Sequence, residues 1–180
     1  MKRLDSRIIS MILVLISVFA FSTGALAAPL AYALPIRGEI EPGLAAFVAR
    51  GIQLAERNGG IVLLEINTFG GRVDAATEIK DLVLKADVPV IAYVSERAWS
   101  AGALIALSAP QIAMAPGSSI GAAEPRPMEE KTVSALKAEF ESTAERWGRN
   151  RQLAAAMVDA DVVVRSEERR VGKECRSRWS

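Results

Sequence analysis

From Ala31 onward, short apolar runs alternate with segments in which apolar residues recur every three or four positions, the pattern of strands alternating with helices. AYALPIRGEI (31–40) reads as a strand, and Glu41-Pro42 opens a helix through about Arg57, with proline suited to a first turn. GGIVLLEIN (59–67) carries a continuous apolar run, as expected of a strand covered on both faces. GGRVDAATEIKDLVLKAD (70–87) predicts a helix with Val73, Ala76, Ile79, Leu82 and Val83 along one side. VPVIAYV (88–94) is a further buried strand, AGALIALSA (101–109) a helix apolar all round, and QIAMA (111–115) a short strand before the turn Pro116-Gly117. Prolines make GAAEPRPMEE (121–130) a loop; Val133, Leu136, Phe140, Ala144 and Trp147 then define an amphipathic helix ending at Gly148. Repeated strand-helix-strand units predict an α/β fold with a parallel sheet and right-handed crossovers.

Both ends of the chain break this pattern. MKRLDSR precedes an apolar core from Ile8 to Phe21 and the small-x-small site Ala25-Leu26-Ala27, so residues 1–27 read as a secretory signal peptide, or as an anchor if left uncleaved. The body is therefore expected to be exported, on the extracytoplasmic side of a membrane. RSEERRVGKECRSRWS (165–180) has no apolar periodicity and reads as an atypical, non-native tail, leaving residues 28–164 as a single domain large enough to bury a core.

Charge and composition narrow the chemistry. The 180 residues carry a net charge of +1, but the ends hold the excess positive charge. Residues 28–164 contain 13 basic and 17 acidic side chains, which argues against a nucleic-acid interface. There is no histidine, and the one cysteine, Cys175, lies in the tail. A zinc centre is thereby disfavoured, and neither a metal nor another cofactor is expected.

Ser100 sits where an extended segment gives way to a small, apolar helical run. A serine at a helix N-terminus is placed either to cap the helix or to act as a nucleophile where developing negative charge is stabilised. Gly70-Gly71 in INTFGGRVD is either a plain turn or a source of a free backbone N–H for an oxyanion, beside the N–H of Ala101. Without histidine, lysine is the usual remaining base, because desolvation and a helix N-terminus both favour its neutral form. Lys131 opens a helix after a proline-containing loop, whereas Lys137 lies at the edge of the apolar stripe; periodicity alone does not select Lys131.

INTFGGRVDAA, RAWSAGALIALSA, IAMAPGSSIGAAEP and EEKTVSALKAEFESTAERWGRN together resemble the NfeD-type membrane-associated serine proteases, a branch of the ClpP class, over about residues 31–163. The resemblance implies a ClpP/crotonase-like α/β spiral and endopeptidase chemistry by a Ser-Lys dyad. It places the nucleophile on Ser100, the lysine on Lys131, with Gly148-Arg149-Asn150 as the turn after its helix, and the oxyanion donors on Gly71, with Gly70 beside it, and on Ala101. Asp161 would orient the lysine. It further implies membrane-protein substrates with apolar segments, stomatin-like proteins among them, and a homo-oligomer.

Phe69 stands where the family usually has proline, the span between Ser100 and Lys131 is compact, and the family continues beyond MVDADV into the rest of its protease domain. Two other readings stay open: a non-catalytic scaffold for a membrane partner, and a crotonase-type acyl-CoA enzyme, which an exported chain disfavours.

Overall fold

The computed structural model describes residues 30–126, 128–159 and 162–167. The expected signal peptide, most of the tail and Asp161 lie outside these residues. Strand β1 (Ala31–Ile40) is followed by helix α1 (Pro42–Asn58), β2 (Ile61–Gly71), α2 (Val73–Lys85), β3 (Val90–Trp99) and α3 (Ala101–Ser108). Two short strands, β4 (Gln111–Met114) and β5 (Ser119–Gly121), precede α4 (Glu130–Glu145), α5 (Arg151–Ala156) and β6 (Val163–Arg165).

The local reasons for these elements are visible in the sequence. Pro42 starts α1 on the Glu41 carbonyl, and Gly59, at φ 61°, ends it in the left-handed conformation that glycine adopts without strain. The first residues of α2 are steadied by Asp74, whose carboxylate accepts from its own Ala75 neighbour's N–H and pairs with Arg72 at 2.6 Å. Those partners, the Arg72 guanidinium first, hold the Asp74 pKa down at about 2.

The sheet runs β1-β2-β3-β5-β6, with β4 on the β5 side of β3. β1, β2, β3, β4 and β5 are joined in parallel, and β6 is antiparallel to β5. One edge of β3 serves two partners in succession. Ile91 to Val94 pair with β4, and Arg97 to Trp99 pair with β5. The sheet therefore changes partner just before Ser100, the kind of switch at which open α/β sheets form clefts beyond their carboxyl ends.

Burial departs from expectation on β2. Val62, Leu64, Ile66 and Thr68 are buried, but the intervening residues are only half-buried, so one face carries the core. Exposed Arg37 pairs with Glu65 across the other face at 2.7 Å. Helix α3 meets the prediction: all eight of its residues are buried. Gly102 lets it approach β2 closely, since a Cβ there would lie 2.5 Å from Thr68 Cγ2. Phe140 of α4 is only 1% exposed, while Ala144 completes the buried stripe.

Several elements were not anticipated. β2 continues through Gly70-Gly71 instead of giving way to helix, and Val73, expected on the buried side of α2, is half exposed. β5, α5 and β6 were absent from the pattern because three to six residues are too few to show a period. Ser166 N–H donates to the Ser118 carbonyl and the Glu167 carboxylate accepts from Gly117 N–H, so the first tail residues pair with the body.

Candidate active site

β3 ends at Trp99, and Ser100 is the N-cap of α3 with φ 53° and ψ −124°. A non-glycine residue with that backbone holds strain on the order of 1–3 kcal/mol, and such strain gathers at functional sites. The cap position is not used for capping: the Ser100 side chain makes no hydrogen bond to the helix. The Ser100 N–H is taken up by the Gly121 carbonyl at 2.8 Å. That bond fixes the serine backbone and leaves Ala101, the first helical residue, with an N–H that no intrahelical carbonyl can satisfy.

The donor loop is shaped by Thr68, which sequence reasoning missed. Its buried hydroxyl donates to the Gly38 carbonyl at 2.6 Å and accepts from Gly70 N–H at 3.0 Å. Gly70 N–H is thereby occupied within the loop. Gly71 is placed differently. Its neighbour Arg72 donates to the Ile40 carbonyl at 2.8 Å, and Ile40 is the ladder partner of Gly71. In a parallel ladder the partner bonds to the residues on either side, so the N–H of Gly71 itself points to the opposite edge, toward β3. Both glycines are required sterically. A Cβ on Gly71 would meet Ile40 backbone at 2.4 Å, and one on Gly70 would meet Ser100.

These groups open onto a cavity of about 450 Å³. Ser100, Ala101 and Gly71 stand on one side of it, and Glu124 and Arg126 on the strand-to-helix loop. Its apolar wall is Phe69, Val73, Ala76, Leu104, Leu136 and Phe140. Phe69, 69% exposed, meets Trp99 edge-on with ring centroids 5.5 Å apart, and the Arg97 guanidinium lies 4.6 Å from the Phe69 ring centre. Ala122, at φ 49°, is the other non-glycine residue with positive φ among those described, and it lines the same cavity.

Of the four lysines among the described residues, Lys85 ends α2 and the other three fall into distinct situations. Lys80 on α2 is partly buried and bridges Asp81 and Glu139; burial pulls its pKa down, but the two carboxylates outweigh it and the net shift is upward. Lys137 pairs with Asp159 at 2.7 Å. Lys131, in the first turn of α4, is exposed and has no ion-pair partner among the described residues. It is not among the residues lining the cavity, although Leu136 and Phe140 of the same helix are. The structure therefore gathers Ser100, Ala101 and the Gly70-Gly71 loop, and leaves Lys131 at the helix start outside them.

The fold and its relatives agree. The chain is 40% identical over 137 residues to membrane protein NfeD1b of Bacillus subtilis, covering 73% of this chain and 31% of that protein. It is 34% identical over 157 residues to the membrane-bound protease PH1510 of Pyrococcus horikoshii, covering 79% of this chain and 36% of that protein. The chain thus spans about a third of the length of either relative.

Among solved structures, a mutant of the 1510-N membrane-bound stomatin-specific protease with a serine replaced by alanine superposes with a TM-score of 0.76 at 32% identity, covering 80% of this chain and 76% of that one. A second mutant, with a lysine replaced by alanine and a substrate peptide bound, gives 0.73 at 32% identity, covering 80% and 72%. ClpP1 from Listeria monocytogenes, at 22% identity and a TM-score of 0.64 over 77% of this chain and 85% of that one, shares the fold. With residues 30–174 matching the NfeD1b N-terminal domain, this ClpP-like chain belongs to the NfeD1b family.

Proposed function

We propose that this chain is the protease domain of a membrane-associated serine endopeptidase. The observation that carries the reading is Ser100: a strained N-cap serine, free of capping duty, facing a cavity beside the N–H groups of Ala101 and Gly71. Ser100 Oγ attacks a peptide carbonyl while Lys131, in its neutral form, accepts the hydroxyl proton. The carbonyl oxygen gains negative charge and is held by the two N–H groups. The C–N bond then breaks, the lysine returns its proton to the leaving amine, and water hydrolyses the acyl-serine ester.

Support for Lys131 comes from the engagement of Lys80 and of the rival candidate Lys137 by carboxylates, and from the similar protease whose lysine mutant was solved with substrate peptide. Since Lys131 stands outside the cavity, the reading has the first turn of α4 moving toward Ser100 when peptide binds. The apolar wall suits peptide segments rich in apolar side chains, as membrane proteins offer, and the stomatin-specific relatives make a stomatin-like protein the first substrate to try. Export of the chain, with the site on the extracytoplasmic side of the membrane, and a homo-oligomeric assembly complete the reading.

The test is acylation by a serine-directed fluorophosphonate. Labelling lost in Ser100→Ala supports the nucleophile, and labelling that persists there overturns it. The exposed position of Lys131 favours one second reading, a peptide-binding scaffold without catalysis. Peptide retained by both the unaltered chain and Ser100→Ala, with no acylation or cleavage by either, would establish it.

A further inference from the structure

Helix α3 ends as completely buried as it begins, and a buried helix end must find partners for its last carbonyls. Two side chains from the turn between α4 and α5 supply them. Arg149 Nη1 donates to the Leu107 carbonyl at 2.8 Å, and its Nη2 donates to the carbonyls of Ala109 at 2.8 Å and Pro110 at 2.9 Å. Trp147 Nε1 donates to the carbonyl between them, Ser108, at 2.8 Å. Four successive carbonyls are thus held by two residues flanking Gly148, whose φ of 67° makes the tight turn.

Arg149 is only 8% exposed, and its planar fork reaches three acceptors that a lysine ammonium could not span in one geometry. Burial lowers its pKa to about 10, which leaves it charged at neutral pH. A cation there complements the negative end of the α3 dipole, while the positive end faces the Ser100 site. An eight-residue helix is roughly 12 Å long, so whatever fixes its last turn also fixes the direction of its first.

We propose that Arg149 and Trp147 are positioning residues for the Ser100 site. Without lining the cavity, they lock α3 along and about its axis, so that the Ala101 N–H stays aimed at the developing oxyanion. They also tie the end of this helix to the C-terminal end of α4. The inference rests on Ser100 being the nucleophile, but the clamp itself has an independent readout.

The experiment compares the unaltered chain with Arg149→Met, Arg149→Lys, Trp147→Phe and a control, Val48→Ala, which truncates a buried residue of α1. Fluorophosphonate acylation rate and amide hydrogen exchange across residues 101–108 are measured, with thermal stability as the common scale. Arg149→Met should acylate on the order of 10- to 100-fold more slowly, since small misplacement of reacting groups is that damaging, and α3 should exchange faster.

Arg149→Lys should recover part of the rate. Val48→Ala should keep the parental rate and α3 protection at comparable loss of stability. Arg149→Met matching Val48→Ala in both measurements overturns the proposal. If the unaltered chain is not acylated, the protease reading fails, and hydrogen exchange decides the clamp: faster exchange in Arg149→Met than in Val48→Ala supports it, and equal exchange overturns it. Should Arg149→Met not fold, Arg149→Lys and Trp147→Phe carry the same comparison.

Discussion

A Cβ placed on Gly70 would lie 2.6 Å from the Cβ of Ser100 and 3.0 Å from its Oγ. The donor loop and the serine therefore meet with no room for a methyl group. Gly70 also holds φ 116°, a conformation that side chains rarely adopt. Gly70→Ala should destabilise the chain by roughly 1–3 kcal/mol and abolish acylation of Ser100, read by thermal melts and probe labelling together. A stable, fully labelled variant would show that the loop does not abut the reacting group.

Strain at Ser100 predicts opposite effects on stability and activity. Ser100→Ala and Ser100→Gly should both be inert, but glycine accepts φ 53° without penalty. Ser100→Gly should therefore be more stable than Ser100→Ala by about 1 kcal/mol in denaturant titrations. Equal stability would mean that the backbone holds no strain there.

The two lysines of α4 separate by experiment. Lys131→Ala should eliminate peptide cleavage, whereas Lys137→Ala, which removes a half-exposed pair with Asp159, should change stability by less than about 1 kcal/mol and leave cleavage intact. Retained cleavage in Lys131→Ala would move the base elsewhere.

Phe69 is exposed at the cavity rim and braced by Trp99 and Arg97. Phe69→Ala should raise KM for apolar peptides about tenfold with kcat little changed, since it removes apolar surface that binds ground state and transition state alike. Acylation by a small probe should be unaffected. A fall in kcat at constant KM would instead make Phe69 part of the machinery that shapes the donor loop.

Asp74 gives a pH-dependent signal. Its pKa is lowered from 3.8 to about 2 in the folded state, so its stabilising contribution is complete above the unfolded value and disappears as pH falls through about 2. The melting temperature of Asp74→Asn should lie slightly below that of the unaltered chain at pH 6 and converge with it near pH 2. A difference that persists at the acid end would locate the effect outside the Arg72 pairing.

What the sequence makes legible is the part carried by repetition. The strand at 31–40, the strand read at 88–94 and found at Val90–Trp99, the helix from Pro42 and the all-apolar helix read at 101–109 follow from spacing, and the serine follows from its place between two of them. Long-range pairing is where local pattern stops. That β3 changes partners along one edge depends on β4 and β5 following one another along it, which no window of residues reveals. Thr68 gave no signal because a hydroxyl in an apolar strand looks like any other β-former until its two partners are known. Arg149 was visible as part of a turn, but its three acceptors at and just beyond the end of another helix were needed to show its use. Lys131 was found through family resemblance, and the described structure leaves it facing solvent.

The carbonyl that holds Ser100 belongs to Gly121, and Gly121 is in turn backed by β6, with a Cβ on it meeting Val162 O at 2.5 Å and Ala122 N–H donating to that same oxygen at 3.0 Å. The support of Ser100 thus runs to a strand some sixty positions later in the polypeptide. During synthesis the serine leaves the ribosome long before Val162 does. A chain still being made would consequently hold Ser100 without the strand that backs its Gly121 anchor until the segment around Val162 is delivered.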